Sequence, residues 1–308
     1  MQQGDFRAAL RMLEDALVEM DRIAAANKGS TLGALFQQMR ENLEPHFLNA
    51  IGQVRNALGD FTIAAVQIDN AIRIAEQRRQ PDVVLFAKAN RAATDSHRGR
   101  YAAAIAEYEQ QRAIFERANI PYRQAQTLNN LGRVLDEVGR YGEAIQTFEA
   151  ARKLSTGRFR RGQAIASLNL AQIYLKLGSE PDTRSAADKA LINFRTVGDR
   201  ANIARTLTLL GQLHDSAGRP AEADKAYAEA ADHVATGGSK IEAAQLALVT
   251  AVHYAQAGNA EKSRQSFAHA EALYHGIGDP FRTALMRLIT TQRPLPNGTT
   301  VVDRQKIA

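Results

Sequence analysis

The segment AQTLNNLGRVLDEVGRYGEAIQTFEAARKL, Ala125–Leu154, decides how the rest of the chain is read. Helical spacing runs through Leu128, Leu131, Val134 and Leu135 before Gly139, and through Ala144, Ile145, Phe148 and Ala151 after it. Two amphipathic helices around a glycine predict a helical hairpin. Gly139 stands where the first helix must end in a left-handed conformation, which glycine adopts without the penalty a Cβ would bring.

Working outward, the same glycine returns as Gly59, Gly99, Gly139, Gly178, Gly218 and Gly258, at steps of 40, 40, 39, 40 and 40, and Gly4 and Gly298 extend the series. Seven positions before each anchor the residue is small: Gly52, Ala92, Gly132, Ala171, Gly211 and Ala251. Five positions after it stand Ala64, Ala104, Ala144 and Ala223, with Thr183 and Ser263 as exceptions. Small side chains at fixed offsets predict close approach of two helix backbones. Rings lie two after the anchor (Phe61, Tyr101, Tyr141) and nine after it (Tyr108, Phe148, Tyr227, Phe267), and are expected to fill gaps between hairpins. Pro181 and Pro220 suit the starts of second helices, and Ser30, Asp199 and Asp279, the last followed by Pro280, suit helix caps. The fold class is therefore all-α, a right-handed α-solenoid of antiparallel helical hairpins.

The stretch LNNLGRVLDEVGRYGEAIQTFEAA resembles the tetratricopeptide repeat family, and the resemblance covers nearly the whole chain. The common unit of that family is about 34 residues, against 40 here. The long form is similar to the arrays of bacterial quorum-peptide regulators and to those attached to transcription activators and caspase-like peptidases. Three regions are expected: 1–44, a partial repeat helix (5 to about 26) plus an additional helix over Lys28–Glu44; 45–279, six hairpins; and 280–308, a degenerate or truncated repeat and tail. Both ends read as cut.

Composition supports a helical, water-facing array. Apolar residues make up 45% of the 308-residue chain, and 39 basic against 33 acidic residues give a net charge of +6. That excess is too small to indicate nucleic acid by itself. The absence of cysteine excludes disulfides, thiolate nucleophiles and cysteine-based zinc sites. The start, MQQGDFRAALRM, has neither a basic leader nor an apolar core, and the charge-free run Ala243–Ala260 is broken by Gln245, Thr250, His253, Gln256, Gly258 and Asn259. A cytoplasmic protein without a membrane segment is the expectation.

No catalytic motif is legible. TGGSK at Thr236–Lys240 lacks the Gly-Lys-Ser/Thr order of a phosphate loop and reads as a turn. The seven histidines are dispersed, and His269 and His275 are too far apart in register to share a helix face. No serine sits in G-x-S-x-G. No enzyme activity, metal or cofactor is expected.

Two constellations remain. The cations Arg152, Lys153, Arg158, Arg160 and Arg161, with no acid between them, suit a solvated turn after a helix C-terminus. Alternatively they form an edge for an acidic partner or a nucleic-acid backbone, the latter weakened because only Phe159 interleaves them. The second constellation follows from the resemblance, which implies that the exposed side of the first helices lines a concave groove. Asn90, Asn130 and Asn169 share the position nine before the anchor. The family uses that position to hold the backbone of an extended peptide, since an asparagine amide donates and accepts at once. Gln126, Asn129, Arg133 and Asp136 neighbour it in the middle copy, and Arg205, Thr208, Gln212 and Asp215 in a later one. The competing reading makes these asparagines bridges between helices. The resemblance implies a protein- or peptide-binding scaffold or sensor segment of a larger bacterial regulatory protein. Alternatives are an oligomerisation module that self-associates through its end repeats, or a regulatory domain of an enzyme whose catalytic part lies outside this chain.

Overall fold

The computed structural model describes residues 3–155, 157–237, 240–277 and 282–286. A lone helix α1 (Gln3–Ala26) precedes six hairpins: α2 (Thr31–Ala57) with α3 (Phe61–Gln77), α4 (Pro81–His97) with α5 (Tyr101–Arg117), α6 (Pro121–Glu137) with α7 (Tyr141–Leu154), α8 (Arg160–Lys176) with α9 (Glu180–Val197), α10 (Arg200–Ser216) with α11 (Pro220–Gly237), and α12 (Lys240–Gln256) with α13 (Ala260–Ile277). Residues 282–286 are again helical. Among the described residues there is no strand. The chain is an α-solenoid of antiparallel hairpins.

The turn chemistry is more regular than the glycine series implies. All six anchor glycines have φ between 69° and 85°. At Gly139 the turn closes with the Arg140 N–H donating to the Leu135 carbonyl at 2.9 Å, the 6→1 bond of a Schellman motif. The same bond joins Gln80 to Ala75 and Ile120 to Phe115 at 2.9 Å, across the turns between hairpins. There the left-handed residues are Arg79 (φ 56°) and Asn119 (φ 52°). The physical unit is thus one helix, 17 residues in α3 to α6, plus a three-residue turn. Two such units make the 40-residue repeat. Helices of that length run about 26 Å, and the longer helices accommodate the excess over the common family unit.

The small residues do what their spacing predicts, with one correction. A Cβ on Gly132 would stand 2.7 Å from the Phe148 ring; one on Gly211 or Gly52 would press into Tyr227 or Ile68. The residue seven before the anchor therefore meets the residue nine after it, inside one hairpin. The rings at that later position fill their own hairpin, not the gap between hairpins. Tyr108 behaves alike: its hydroxyl donates to the Ala89 carbonyl at 3.2 Å, and burial pushes its phenol well above the ordinary value, so it stays a neutral donor. The rings two after the anchor face the next hairpin. Phe61 stacks on His97 at 5.1 Å, and Lys176 lies over Tyr141 at 5.9 Å. Ala64, Ala104, Ala144, Thr183 and Ala223 are fully buried. Thr183 fits because its hydroxyl donates to the Ser179 carbonyl one turn back.

Ser30 and Asp199 cap α2 and α10 by accepting from Gly33 and Asn202, and proline stands in the first turn of α9 and α11. The boundary expected at 44/45 falls inside a continuous α2. Pro45 forgoes one backbone hydrogen bond there, and α2 is held by packing on α1 and α3. Asp279, Pro280, Gly298 and most of 280–308 lie outside the described residues.

One buried core runs from Ala92 to Leu246, and a second gathers Ala244, Ala251, Phe267, Tyr274 and Met286. A polar knot crosses from α10 and α11 to α12. His253, 3% exposed, places Nδ1 2.6 Å from Asp215 and Nε2 3.1 Å from Asp224, while the Tyr227 hydroxyl donates to Asp215 at 2.7 Å. Successive first helices touch one another directly, and no comparable contact joins successive second helices among the described residues. The closer row is the inner one, so α2, α4, α6, α8, α10 and α12 line the concave side.

Two outcomes are expected. Gly132→Ala drives a methyl into Phe148 and should cost about 1–3 kcal/mol. Gly139→Ala meets open space and should cost only the left-handed penalty of about 1–2 kcal/mol. Chemical denaturation ranks them; equal midpoints to wild type would mean the contact or the turn is assigned wrongly. His253→Ala removes charge-assisted bonds and should cost about 2 kcal/mol. Amide exchange should accelerate in α12 and α13 before α6 and α7, and uniform exchange would argue against a local knot.

Candidate functional site

The concave row encloses a cavity of about 1050 Å³ against α2, α4, α6 and α8. Its lining includes a row of amides, Asn49 from α2, Asn90 from α4, and Asn129 with Asn130 from α6, together with Phe86, Phe115, Ile120 and Tyr122. Phe86 is 49% exposed and Tyr122 38%, so both present ring surface to the open side. Tyr122 stacks on Phe159 at 5.5 Å, and the Arg123 guanidinium lies 5.2 Å over the Tyr122 ring.

The asparagines are not equivalent. Asn90 Nδ2 donates to Asn49 Oδ1 at 3.0 Å, a strut between α4 and α2. Asn130 lines the cavity half-buried, with no side-chain partner among the described residues. Asn129 is 8% exposed, and its buried Oδ1 has no partner. A buried amide left unpaired is uncommon in a native interior and needs a reason. Asn169 is also nearly buried with Nδ2 unpaired, but it does not line this cavity. The row therefore contains one strut, Asn90 on Asn49, one half-buried amide open to the cavity, Asn130, and one buried amide, Asn129, whose oxygen is unpaired.

Gln126 and Arg161 join the lining. Gln126 accepts from Arg123 at 3.4 Å. Other expected groove residues lie elsewhere on the surface. Arg133 pairs with Glu137 at 3.8 Å, Asp136 accepts from Lys176 at 2.8 Å, Arg205 donates to Asn202 at 3.3 Å, and Gln212 is exposed. Thr208 bonds its own helix, and Asp215 belongs to the His253 knot. Of the basic residues, Arg152 pairs with Glu149 at 2.6 Å and Arg161 with Asp199 at 2.9 Å. Lys153 and Arg160 are exposed without a carboxylate partner among the described residues, and the Arg158 side chain lies outside them. Asn49, Phe86, Tyr122, Arg123 and Ser155 were not singled out from sequence. Asn49 sits one position off the asparagine register, and Phe86, Tyr122 and Arg123 occupy the first two turns of their helices, where the repeat pattern sets no residue type.

Among the described residues no cluster of histidines and carboxylates could hold a metal ion, and no helix is long and apolar enough to cross a membrane.

The family model of the tetratricopeptide repeat matches residues 83–156 and 162–235. No curated protein matches the sequence. Among solved structures, the apo form of RapI is similar over 88% of this chain and 99% of its own, at 14% identity and TM-score 0.62. A Rap protein complexed with Competence and Sporulation Factor is similar over 91% of this chain and 85% of its own, at 16% identity and TM-score 0.64. The apo form of the quorum sensor NprR from B. thuringiensis covers 92% of this chain and 82% of its own, at 13% identity and TM-score 0.62. At such identities the likeness is one of fold. Residues 83–156 and 162–235 thus match the tetratricopeptide repeat, and the same left-handed turns and hairpin order continue through the described helices on either side.

Proposed function

We propose that this chain is a recognition solenoid that holds an extended peptide, or an extended segment of a protein, in the groove along α2, α4, α6 and α8. The observation that carries the reading is the cavity itself, to which the half-buried Asn130 offers an amide with no side-chain partner among the described residues and Phe86 and Tyr122 offer exposed rings. An extended peptide loses water from its backbone on entering such a groove, and each group left unpaired is costly. Amides that donate and accept satisfy those groups without regard to side-chain sequence. The exposed rings of Phe86 and Tyr122 then offer apolar surface for alternate side chains. Support also comes from the folds it resembles, one complexed with Competence and Sporulation Factor and one a quorum sensor. In this reading the chain is a sensor or scaffold segment of a bacterial regulatory protein, acting in the cytoplasm without catalysis of its own.

Self-association is the second reading, favoured by Leu32, Leu35 and Met39 on one stripe of α2 and by Met12 and Val18 on α1, all at least 41% exposed. A concentration-dependent mass in light scattering, abolished by Leu35→Glu, would favour it.

The test of the groove uses short random peptides selected on the immobilised chain, followed by calorimetry on those retained. Asn129→Ala and Asn130→Ala should each weaken binding by about 1–2 kcal/mol with little change in melting. Asn90→Ala should also lower stability, because it leaves the buried Asn49 without its donor. Normal binding by both the Asn129 and Asn130 variants would remove the groove reading.

A further inference from the structure

The two edges of the solenoid differ in charge. Antiparallel hairpins bring the turns within hairpins to one edge and the turns between hairpins to the other. At the first edge most cations are answered from within the chain. Arg55 faces Asp60, Arg140 faces Glu143, Lys176 faces Asp136 and Arg219 faces Glu180. Arg98 and Lys262 have no carboxylate partner among the described residues, and Lys262 lies over the Tyr254 ring.

The second edge is largely unanswered. Arg79, Arg117, Lys153, Arg160, Arg200 and Lys240 stand at five successive turns, and none has a carboxylate partner among the described residues. All but Lys240 are exposed, and Arg200 spends one nitrogen on the Thr236 carbonyl at 3.3 Å. The acids of the central stretch are already engaged: Glu116 with Arg112, Glu149 with Arg152 and Asp199 with Arg161. Asp82 and Glu242, in the first turns of α4 and α12, stand at its two ends.

A second observation concerns where these cations sit. The residue eighteen before the anchor opens each first helix from α4 onward. It is Pro81 in α4 and Pro121 in α6, then Arg160, Arg200 and Lys240 in α8, α10 and α12. A cation there works against the partial positive charge of the helix N-terminus. Three in register weaken their own helices, with no ion pair among the described residues to offset it. Arg79 holds another unfavourable place, a left-handed turn at φ 56°. The compensating interaction lies outside the chain.

We propose that the edge formed by the turns between hairpins docks a single-stranded nucleic acid through its phosphates. The inference is independent of the peptide groove on the concave side. Exposed arginines that nothing in the chain holds in place form a line, not a shaped pocket. Affinity along such a line comes from release of condensed counterions, which a nucleic-acid strand carries along its phosphates. A peptide with scattered acids has no comparable atmosphere. The planar fork of arginine also matches a phosphate with two parallel bonds. A flexible strand follows an edge that turns with each hairpin, whereas a duplex is stiff over about 50 nm. Phe159 alone interleaves the central cations, so base stacking adds little and docking is indifferent to base sequence.

The test is fluorescence anisotropy of a labelled thymidine strand of about 20 nucleotides, titrated with the full chain across a salt series. Wild type should bind with a slope of log K on log salt of roughly −3, about −0.7 for each of about four phosphates. The Arg160→Gln/Arg200→Gln variant should lose about 1.4 of that slope, the share of two phosphates. Arg140→Gln/Lys176→Gln takes the same charge from the opposite edge and should leave the slope unchanged. Equal losses in the two variants would reduce the effect to net charge and overturn the edge. No binding at low salt would overturn it as well. Equal affinity for a duplex of the same length would overturn the single strand. Displacement of the strand by polyglutamate at lower charge concentration would assign the edge to an acidic polypeptide instead. Tighter binding to anionic phospholipid vesicles, lost in the Arg160/Arg200 variant, would assign it to a membrane surface and overturn the nucleic acid. Melting separates lost binding from lost fold. Removing cations from two helix N-termini should leave the Arg160→Gln/Arg200→Gln variant at or slightly above the wild-type midpoint, and a clear fall would overturn the argument that these arginines serve an outside partner.

Discussion

The Phe148 ring lies directly on the backbone of Gly132, with no room for a methyl between them. Tyr227 on Gly211 and Ile68 on Gly52 repeat this contact. Everything else in the array is positioned by it. Close approach at that crossing fixes the angle between the two helices of a hairpin. The angle decides which faces remain for the neighbouring hairpins, and the summed offsets decide that first helices form the inner row. A cavity lined by α2, α4, α6 and α8 is a remote consequence of glycines and alanines that never touch it.

Building a groove from successive helices explains why its polar groups sit so differently. Each first helix contributes the same few positions, but the environment at each depends on its neighbour. Asn90 finds Asn49 across the α2–α4 gap and is satisfied within the protein. Asn129, in the register of Asn49, keeps a buried oxygen unpaired, and Asn169, in the register of Asn90, keeps a buried Nδ2 unpaired. The first turns of α6 and α8 concentrate positive charge because their side chains are arginines, while Asp82 and Asp199 offset the same dipole on the helices to either side. The row is uniform in geometry and uneven in chemistry, which is what a surface needs to fix the direction in which an extended ligand lies.

Much of this was legible in the sequence, and the exceptions have physical causes. Anchor glycines and the residues around them were readable because a left-handed turn and a crowded crossing each tolerate few side chains. The turns between hairpins were not, because Arg79 and Asn119 take the same left-handed conformation without announcing it. Asn90 donates to Asn49, 41 residues away, and no spacing rule pairs them. The run of five cations looked uncompensated because its carboxylates are supplied from outside it: Glu149 from the preceding turn and Asp199 from the next first helix. The continuity of α2 through Pro45 has the opposite cause: packing on both sides outweighs a local rule that normally ends a helix.

The equivalence of the two kinds of turn has a consequence for how such arrays change over time. If the unit that closes on itself is one helix and one turn, a gene can gain or lose a single helix without leaving an unclosable chain end. Insertion of one such unit mid-array would exchange inner and outer rows for every helix after it, burying the old recognition face outside the curve. Duplication in pairs preserves the face, and duplication of singles reverses it. Parity, more than length, is then the quantity that selection on binding must protect.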